Sequence, residues 1–492
     1  MSTRPEDALG LYLSIPFCRS KCVYCNFASG VYPARDHTRY IDRLIADLAG
    51  ARCWAARKGV DLPRRVASVY LGGGTPSLLA PELIARLFTA LRAAFELVPA
   101  AEITVECAPG QISDAALAVL AAAGVNRVSL GVQSFIDSEA RASGRLHGRA
   151  TALADLDRLR AAGIHNLSVD LIAGLSGQTL ASWSESLEVL VSTGVPHASI
   201  YMLEVDEDSR LGRELLAGGS RYHAALVPTD EAIVQMDALA IERLGRAGLR
   251  PYEISNYSRP GWESRHNLRY WQRRPYLGLG LDASSMLRVA SPATQDGRNP
   301  APRPGGDLAQ SSPESCPQGR IAPGAALCEC DAGPLVPGSV LRTTTTADLA
   351  SYLAGAEPAE TAWLGPAQQQ EEAWFLGLRL MAGVRIAALD REFGRSCIAP
   401  ALAAVARLAE AGLVVDDRET VRLTPRGRLI SNEVFEQFLG LEPDLEAGLD
   451  GSDSGSTGGR APRGLPDPRL NPPAPVPVSP PSSTMALTER DP

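Results

Sequence analysis

The sequence lacks any uninterrupted apolar run of about eighteen residues, the length that a membrane-spanning helix needs. Its first ten residues contain neither the basic segment nor the apolar segment of an export signal. These two absences predict a chain without a transmembrane segment that works in the cytoplasm. Peripheral contact with a membrane stays open.

The chain also lacks an excess of positive charge. It has 48 Lys and Arg against 56 Asp and Glu, a net charge of −8, and no long basic run. A surface that follows nucleic-acid phosphates needs clustered cations, so we expect no nucleic-acid partner. A hydrophobic content of 45% is typical of a globular chain, and 492 residues are enough for several structural units.

Cysteine is sparse, with nine residues in the chain, and without export these do not indicate a disulfide framework, because the cytosol keeps thiols reduced. Three of them form the motif Cys18-x3-Cys22-x2-Cys25, and the other six are scattered. Three thiolates leave one iron of a [4Fe-4S] cluster without a protein ligand. A zinc site is the alternative, but structural zinc usually takes four ligands and no fourth Cys or His lies nearby.

Between residues 11 and 205, short apolar, β-branched runs alternate with helical stretches whose apolar residues recur every three or four positions. This alternation predicts an α/β fold in which six βα units form a parallel sheet, curved into a partial (β/α)6 barrel. The predicted strands cover residues 11–15, 66–71, 102–106, 127–132, 166–172 and 198–203.

Polar or glycine-rich positions stand at or just after the C-terminal ends of five of these strands. In a barrel those ends meet at one opening, where ligands bind. Taken singly, an acidic residue at a strand end often caps the next helix instead. Because they share one rim, we predict a binding site there. The positions are Cys18, the loop 72–75, Glu106, Gln133 and Asp170.

The rest of the chain changes character several times. Two stretches rich in Pro, Gly and Ser are too poor in large apolar residues to offset the entropy of ordering, so we predict disorder there.

Near the C-terminus, helices followed by a short hairpin predict a mainly helical, winged-helix-like domain. Its residues 400–411 carry only one cation, Arg407, which favours a lid or docking role over DNA recognition. The predicted units are 1–228 (barrel), 229–289 (helical and extended continuation), 290–339 (disordered insertion), 340–445 (C-terminal domain) and 446–492 (disordered tail).

The cysteine motif, the loop Gly72-Gly73-Gly74-Thr75-Pro76 and the strand-end residues together resemble the radical-SAM superfamily. Within it, the chain is similar to the branch of proteins like the oxygen-independent coproporphyrinogen III oxidase, over residues 11–287 and 340–439. The resemblance implies a [4Fe-4S] cluster on Cys18, Cys22 and Cys25, with S-adenosylmethionine on the remaining iron. Its implied contacts to S-adenosylmethionine are Tyr12, Tyr24, Gly73, Gly74, Thr75, Glu106, Gln133, Arg145 and Asp170.

The resemblance also implies roles for these residues. Glu106 would pair with the methionyl ammonium, and Arg145 with the methionyl carboxylate. Gln133 and Asp170 would bind the ribose hydroxyls. Tyr12 and Tyr24 flank the cysteine loop, where an aromatic residue is as often simple packing.

Two members of the branch are distinguished at position 27. The oxidases carry a fourth cysteine there, and this chain has Phe27. The resemblance therefore implies a heme chaperone that binds heme and delivers it to respiratory proteins, with an electron donor for the cluster. The alternative is a radical enzyme that oxidises coproporphyrinogen III or another tetrapyrrole. Whether the chain is an enzyme stays undecided, and so does a homodimer.

The motif His266-Asn-Leu-Arg-Tyr-Trp271 is the one that the resemblance associates with heme. An imidazole beside aromatic residues offers an axial ligand and flat apolar walls. The alternative is a histidine whose hydrogen bonds serve only the fold. The stretch 277–285 departs from the family pattern, because Asp282 and Ser284 replace a small residue and a histidine.

Overall fold

The structure, a computed structural model, describes residues 8–290 and 338–441. Its centre is a set of six parallel strands that stand side by side in chain order, each joined to the next by helical segments. The strands are β1 (Leu9–Ile15), β2 (Arg65–Gly73), β3 (Glu96–Cys107), β4 (Arg127–Gln133), β5 (Asn166–Ala173) and β6 (His197–Met202). β3 begins earlier than the sequence predicts, because Glu96 and Leu97 pair with Arg65 and Val66 of β2.

The connecting helices bury one apolar stripe each. In the first of them Tyr40, Leu44, Leu48 and Ala55 recur on the buried side, and Gly59 ends the helix in the left-handed conformation, with φ of 67°. The helices between the six strands are α1 (Ala34–Lys58), α2 (Pro81–Ala94), α3 (Asp114–Ala122), α4 (Asp137–Ala142), α5 (Arg149–Ala161) and α6 (Leu180–Ser192).

The sheet extends beyond these six strands at both edges. β9 (Tyr276–Leu279) pairs in parallel with β1, and β10 (Ser284–Arg288), β11 (Val340–Thr344) and β12 (Glu360–Leu364) continue it antiparallel. Beyond β6 lie β8 (Asn256–Ser258) and β7 (Arg250–Pro251), also antiparallel. Within the described ranges this makes one 12-stranded sheet whose edge strands are β12 and β7. The helices of this region are α7 (Arg210–Leu216), α8 (Asp230–Arg246), α9 (Arg265–Trp271) and α10 (Leu349–Ala354).

The C-terminal region has its own apolar core, in which the rings of Trp374 and Phe438 stack with centroids 5.2 Å apart. Its buried Arg428 contacts the larger body, where it forms an ion pair with Asp237 and donates to the Tyr257 hydroxyl at 3.1 Å. The elements are α11 (Pro366–Leu378), β13 (Val384–Arg385), α12 (Ile386–Phe393), α13 (Arg395–Glu410), β14 (Val414–Asp416), β15 (Thr420–Leu423), α14 (Pro425–Leu429) and α15 (Ser431–Glu436). The short strands form a sheet in the order β13-β15-β14.

The predicted fold class is confirmed: an α/β partial barrel is followed by a mainly helical domain with a small antiparallel sheet. The predicted insertion and tail lie outside the described residues, apart from residues 290, 338 and 339. In the two described ranges, no helix combines the length and the apolar character needed to span a bilayer.

The parallel strands position the site by presenting polar side chains on one face. Neighbouring strands place Tyr70, Glu106, Ser129, Asp170 and Tyr201 along the same cavity. Successive side chains of a strand point to opposite faces of the sheet. The positions that alternate with these polar residues are apolar and pack against the helices. The concave side of the sheet is therefore polar while its outer side is part of the core.

Candidate cofactor site

The cysteine loop follows β1 and is closed by backbone hydrogen bonds at its base. Cys18 N donates to Gly30 O at 2.8 Å, and Gly30 N donates to Pro16 O at 2.9 Å. A second segment holds the loop from the side, since Asn26 Nδ2 donates to Asp206 Oδ2 at 2.6 Å. Contacts within the chain therefore define the shape of the loop.

The three thiols of this loop are half-buried and line one cavity. Burial raises the pKa of Cys18 and of Cys25, and hydroxyl groups lie near both sulfurs. Thr75 Oγ1 is 3.9 Å from Cys18 Sγ, and Ser29 Oγ is 3.9 Å from Cys25 Sγ. Among the described residues, no three His, Cys, Asp or Glu side chains are arranged around a single metal ion. In an iron–sulfur cubane, by contrast, each cysteine binds a different iron.

The glycine loop after β2 packs directly against the cysteine loop. A Cβ atom on Gly74 would lie 2.7 Å from Ile15 O and 2.8 Å from Phe17 O, so no larger residue fits there. Gly74 N and Thr75 N donate to those two carbonyls, at 2.9 and 2.8 Å. These two N–H groups fasten the cysteine loop to the end of β2.

Glu106 and Asp170 are half-buried and line the cavity with their carboxyls. Tyr70 OH donates to Glu106 Oε1 at 2.8 Å. Burial raises the pKa of Glu106 to about 7, and the nearby Asp170 adds to the rise. Ser129 Oγ lies 3.0 Å from both carboxyl oxygens of Asp170, whose pKa is also raised by burial. Each carboxyl is thus held in one orientation by a hydroxyl donor.

Gln133 and Arg145 form a further part of the lining. Gln133 has a φ of 71°, an unusual conformation for a residue with a side chain, and its Oε1 has no partner within the described chain. Arg145 Nε is likewise buried without a partner among described residues. Gly131 makes room for both, because a Cβ there would lie 3.0 Å from Gln133 Nε2 and 3.2 Å from Arg145 Nη2.

His266 lies in α9, fully buried against β2. Its Nδ1 is 2.9 Å from Ser68 Oγ and its Nε2 is 2.8 Å from Tyr270 OH, so both ring nitrogens are engaged. Burial lowers its pKa well below the usual value, which keeps the imidazole neutral. The backbone N–H of His266 also donates to Glu102 Oε1 at 2.9 Å. In this conformation the imidazole has no nitrogen available for a metal.

The structure brings every sequence-predicted site residue to the same cavity. Tyr12 packs against Tyr70 with ring centroids 6.1 Å apart, and Tyr24 borders the apolar cluster of Val23 and Leu211. The residues along the cavity are Tyr12, Cys18, Cys22, Tyr24, Cys25, Gly73, Gly74, Thr75, Glu106, Gln133, Arg145, Asp170 and His266.

Several lining residues were not identified from the sequence, among them Tyr70, Arg127, Tyr201 and Asn256. A signal was present for Arg127, since a charged residue opens a strand that is otherwise mostly apolar. Tyr201 and Asn256 are placed beside the cavity only by the pairing of β6 with β8.

Asp282 and Ser284 do not line the cavity. Asp282 has a φ of 53° in the turn between β9 and β10, a conformation that Asp tolerates better than most residues. Ser284 is buried in β10, and its hydroxyl is 3.0 Å from Thr344 Oγ1 of β11. In this chain the two positions serve the turn and the strand pairing.

The lining fits an amino-acid-bearing nucleoside next to an iron–sulfur cluster. Three thiols stand at one side, and unpartnered buried polar atoms of Gln133 and Arg145 stand at another. A ligand with an ammonium, a carboxylate and hydroxyls can use the carboxyls of Glu106 and Asp170 as well as the guanidinium. The donor set therefore matches the chemistry of S-adenosylmethionine.

Comparison with known families agrees with this arrangement. The model of the radical SAM superfamily matches residues 12–190, and that of the HemN C-terminal domain matches residues 364–430. The structure of coproporphyrinogen III oxidase (HemN) from Escherichia coli superimposes with a TM-score of 0.66, covering 89% of this chain and 91% of that chain at 20% identity. Fold and site thus define a radical-SAM protein with a HemN-type C-terminal domain, a class that implies a [4Fe-4S] cluster and S-adenosylmethionine.

Sequence relatives narrow the class further. The heme chaperone HemW of Mycobacterium tuberculosis is 35% identical over 289 residues, which cover 59% of this chain and 72% of that protein. HemW of Escherichia coli is 33% identical over 276 residues, with 56% and 69% covered. HemW of Lactococcus lactis is 28% identical over 443 residues and spans 89% of this chain and 98% of that protein. The chain belongs to the HemW family.

Proposed function

We propose that this chain is a heme chaperone of the cytoplasm that binds heme and passes it to respiratory proteins. The observation that carries the proposal is the meeting of all thirteen predicted residues at one cavity, in a chain whose relatives are named heme chaperones. An electron donor for the cluster belongs to the proposal, because a radical-SAM cluster acts in its reduced state.

The resident cofactors would be held by the residues already described. Cys18, Cys22 and Cys25 would bind the cluster, while Glu106 and Arg145 would hold the two charged groups of the methionyl part. When bound, the pair supplies one-electron chemistry at the sulfonium. The chain's own contribution is to orient the ligand and to exclude water from the buried carboxyls.

Phe27 supports the chaperone over the oxidase. Its side chain lines the cavity and is 36% exposed, so it presents an aromatic face near the cysteine loop. An aromatic face can pack against a flat porphyrin. A fourth cysteine at the same position would instead offer a thiol to the substrate or the cluster.

His266 stays our candidate for the axial ligand of heme. Its present hydrogen bonds determine what must change before it can bind iron. Ligation needs one ring nitrogen to lose its present partner, either Ser68 at Nδ1 or Tyr270 at Nε2. Tyr270 lies near the end of α9 and lines the cavity. We therefore propose that ligation breaks the hydrogen bond between His266 Nε2 and the Tyr270 hydroxyl.

Heme titration of the anaerobically reconstituted protein tests this proposal. We expect His266→Ala to weaken heme binding and shift the Soret band, while the cluster absorption stays intact. Tyr270→Phe removes only the hydroxyl, so it should leave heme binding equal or tighter. If His266→Ala binds heme as the wild type does, His266 is a residue of the fold alone.

A turnover assay with coproporphyrinogen III distinguishes the chaperone proposal from the alternative of a tetrapyrrole oxidase. We expect no conversion of coproporphyrinogen III to protoporphyrinogen IX by the reconstituted protein with S-adenosylmethionine and a reductant. Conversion would overturn the chaperone proposal in favour of a tetrapyrrole oxidase, and failure of the wild type to bind heme would also contradict it.

A further inference from the structure

Arg127 opens β4 and points into the polar interior of the sheet. Its side chain is 2% exposed, and it lines the same cavity as the three cysteines. None of the roles assigned above to the cofactor site uses this guanidinium. A buried cation is costly to maintain unless something pairs with it.

Within the described residues Arg127 Nε has no hydrogen-bond partner. Two other buried arginines behave differently, since Arg342 is paired with Glu372 at 2.9 Å and Arg428 is paired with Asp237. Burial, together with the Arg127 charge, holds the pKa of His197 well below its usual value, and the same charge works against the rise in the pKa of the Glu106 and Asp170 carboxyls.

The two carboxyls of the cavity are already served by other donors. Glu106 accepts from Tyr70 and Asp170 accepts from Ser129, so neither depends on Arg127 for a hydrogen bond. Charge balance with these two groups is the competing explanation for Arg127. It accounts for the charge, but not for a guanidinium that borders a cavity and whose Nε has no hydrogen-bond partner among the described residues.

We propose that Arg127 binds a carboxylate of a ligand that occupies this cavity. A guanidinium matches a carboxylate through two parallel hydrogen bonds, and the pairing is strong where water is excluded. The proposal rests on the proposed function for one of its two sources of carboxylate, a propionate of heme. The other source is the methionyl carboxylate of S-adenosylmethionine, shared with or taken over from Arg145.

Ligand pairs that differ only in the carboxylate test the proposal. The first pair is heme and its dimethyl ester, and the second is S-adenosylmethionine and its decarboxylated form. For the wild type we expect the ligand with the free carboxylate to bind at least about tenfold more tightly in one of the pairs. Equal binding within both pairs would overturn the proposal without any variant.

The variant Arg127→Met shows whether Arg127 is responsible. We expect the preference for the free carboxylate to disappear in the pair that shows it, through weaker binding of the acid and unchanged binding of its partner. If the preference disappears in the heme pair, Arg127 binds a heme propionate. If it disappears in the S-adenosylmethionine pair, Arg127 binds the methionyl carboxylate. If the variant keeps both preferences, Arg127 only balances charge and the proposal fails.

Two further variants show whether a change in binding comes from the loss of Arg127 or from a folding defect. Arg127→Lys keeps the charge but not the fork, so its preference should fall between those of the wild type and the Met variant. Arg342→Met removes a buried guanidinium that does not line the cavity, and it should leave both preferences unchanged. If the wild type binds neither heme nor its ester, the chaperone function fails, while the S-adenosylmethionine pair still decides the role of Arg127.

Discussion

Replacing Glu106 with Gln is expected to stabilise the cluster-free protein and to weaken its binding of S-adenosylmethionine. Burial, followed by the nearby Asp170, raises the pKa of the Glu106 carboxyl from 4.5 to about 7. A carboxyl whose pKa is higher in the folded chain gains a proton on folding, so stability falls as pH rises from about 4.5 to about 7. Gln carries no charge, and its amide oxygen can still accept from Tyr70.

The size of the stability change follows from the two pKa values of the Glu106 carboxyl, in the unfolded and in the folded chain. Because one pKa unit corresponds to about 1.4 kcal/mol, the ionised carboxyl destabilises the folded chain by about 3 kcal/mol at pH 8. At pH 6 the carboxyl is mostly protonated in the folded chain, and the cost falls to about 2 kcal/mol. Glu106→Gln should therefore be more stable than the wild type at both pH values, and its advantage should grow by about 1 kcal/mol between them.

Binding of S-adenosylmethionine should show the opposite effect. Its ammonium favours the ionised carboxyl, so binding below the pKa requires the release of a proton. The Kd of the wild type should fall by about tenfold from pH 6 to pH 8, and this part of the pH dependence should be missing in Glu106→Gln.

Scanning fluorimetry of cluster-free protein and equilibrium dialysis of reconstituted protein at both pH values measure the two effects. Glu357→Gln, at an exposed carboxyl, is the matched control and should change neither. The reasoning is refuted if Glu106→Gln is less stable than the wild type at pH 8, or if its advantage does not grow with pH.

Three other outcomes are expected. Cys18→Ala should abolish the iron–sulfur absorption and lower the iron content from about four per chain, whereas Cys53→Ala should leave both unchanged; uptake of zinc alone by the wild type would contradict the cluster. His266→Ala should lower the thermal midpoint, because two buried hydroxyls lose their ring partners at a cost of about 1–3 kcal/mol each, and an unchanged midpoint would count against those hydrogen bonds. Arg428→Met leaves Asp237 buried and unpaired, which should cost about 3–5 kcal/mol in calorimetry; the double variant Arg428→Met, Asp237→Leu should recover part of it, and no recovery would argue against the ion pair.

The sequence was sufficient for the parts of the fold that depend on periodicity. Six alternating strand and helix segments predicted the parallel strands within a few residues at most ends, and the strand-end rule led to a common cavity. The cysteine motif needed no long-range information, because Cys18, Cys22 and Cys25 belong to one loop.

The remaining features depend on contacts between residues far apart in the chain. The strands β9 to β12, which extend the sheet beyond β1, are four or five residues long, too short for a clear period. The partners of His266 include Ser68, 198 residues away, and no local pattern specifies such a contact. The same holds for the close approach of Gly74 to Ile15, which requires a glycine at that position.

The pairing of β10 with β11 brings the two sides of the undescribed stretch 291–337 together. Arg288 is the register partner of Val340, and Val289 N donates to Ser339 O at 3.0 Å. The polypeptide thus departs from the sheet and returns to it at one point, as it would at a hairpin turn. Because the sheet itself holds these two ends together, replacing the stretch between them with a few residues should leave the cofactor cavity undisturbed.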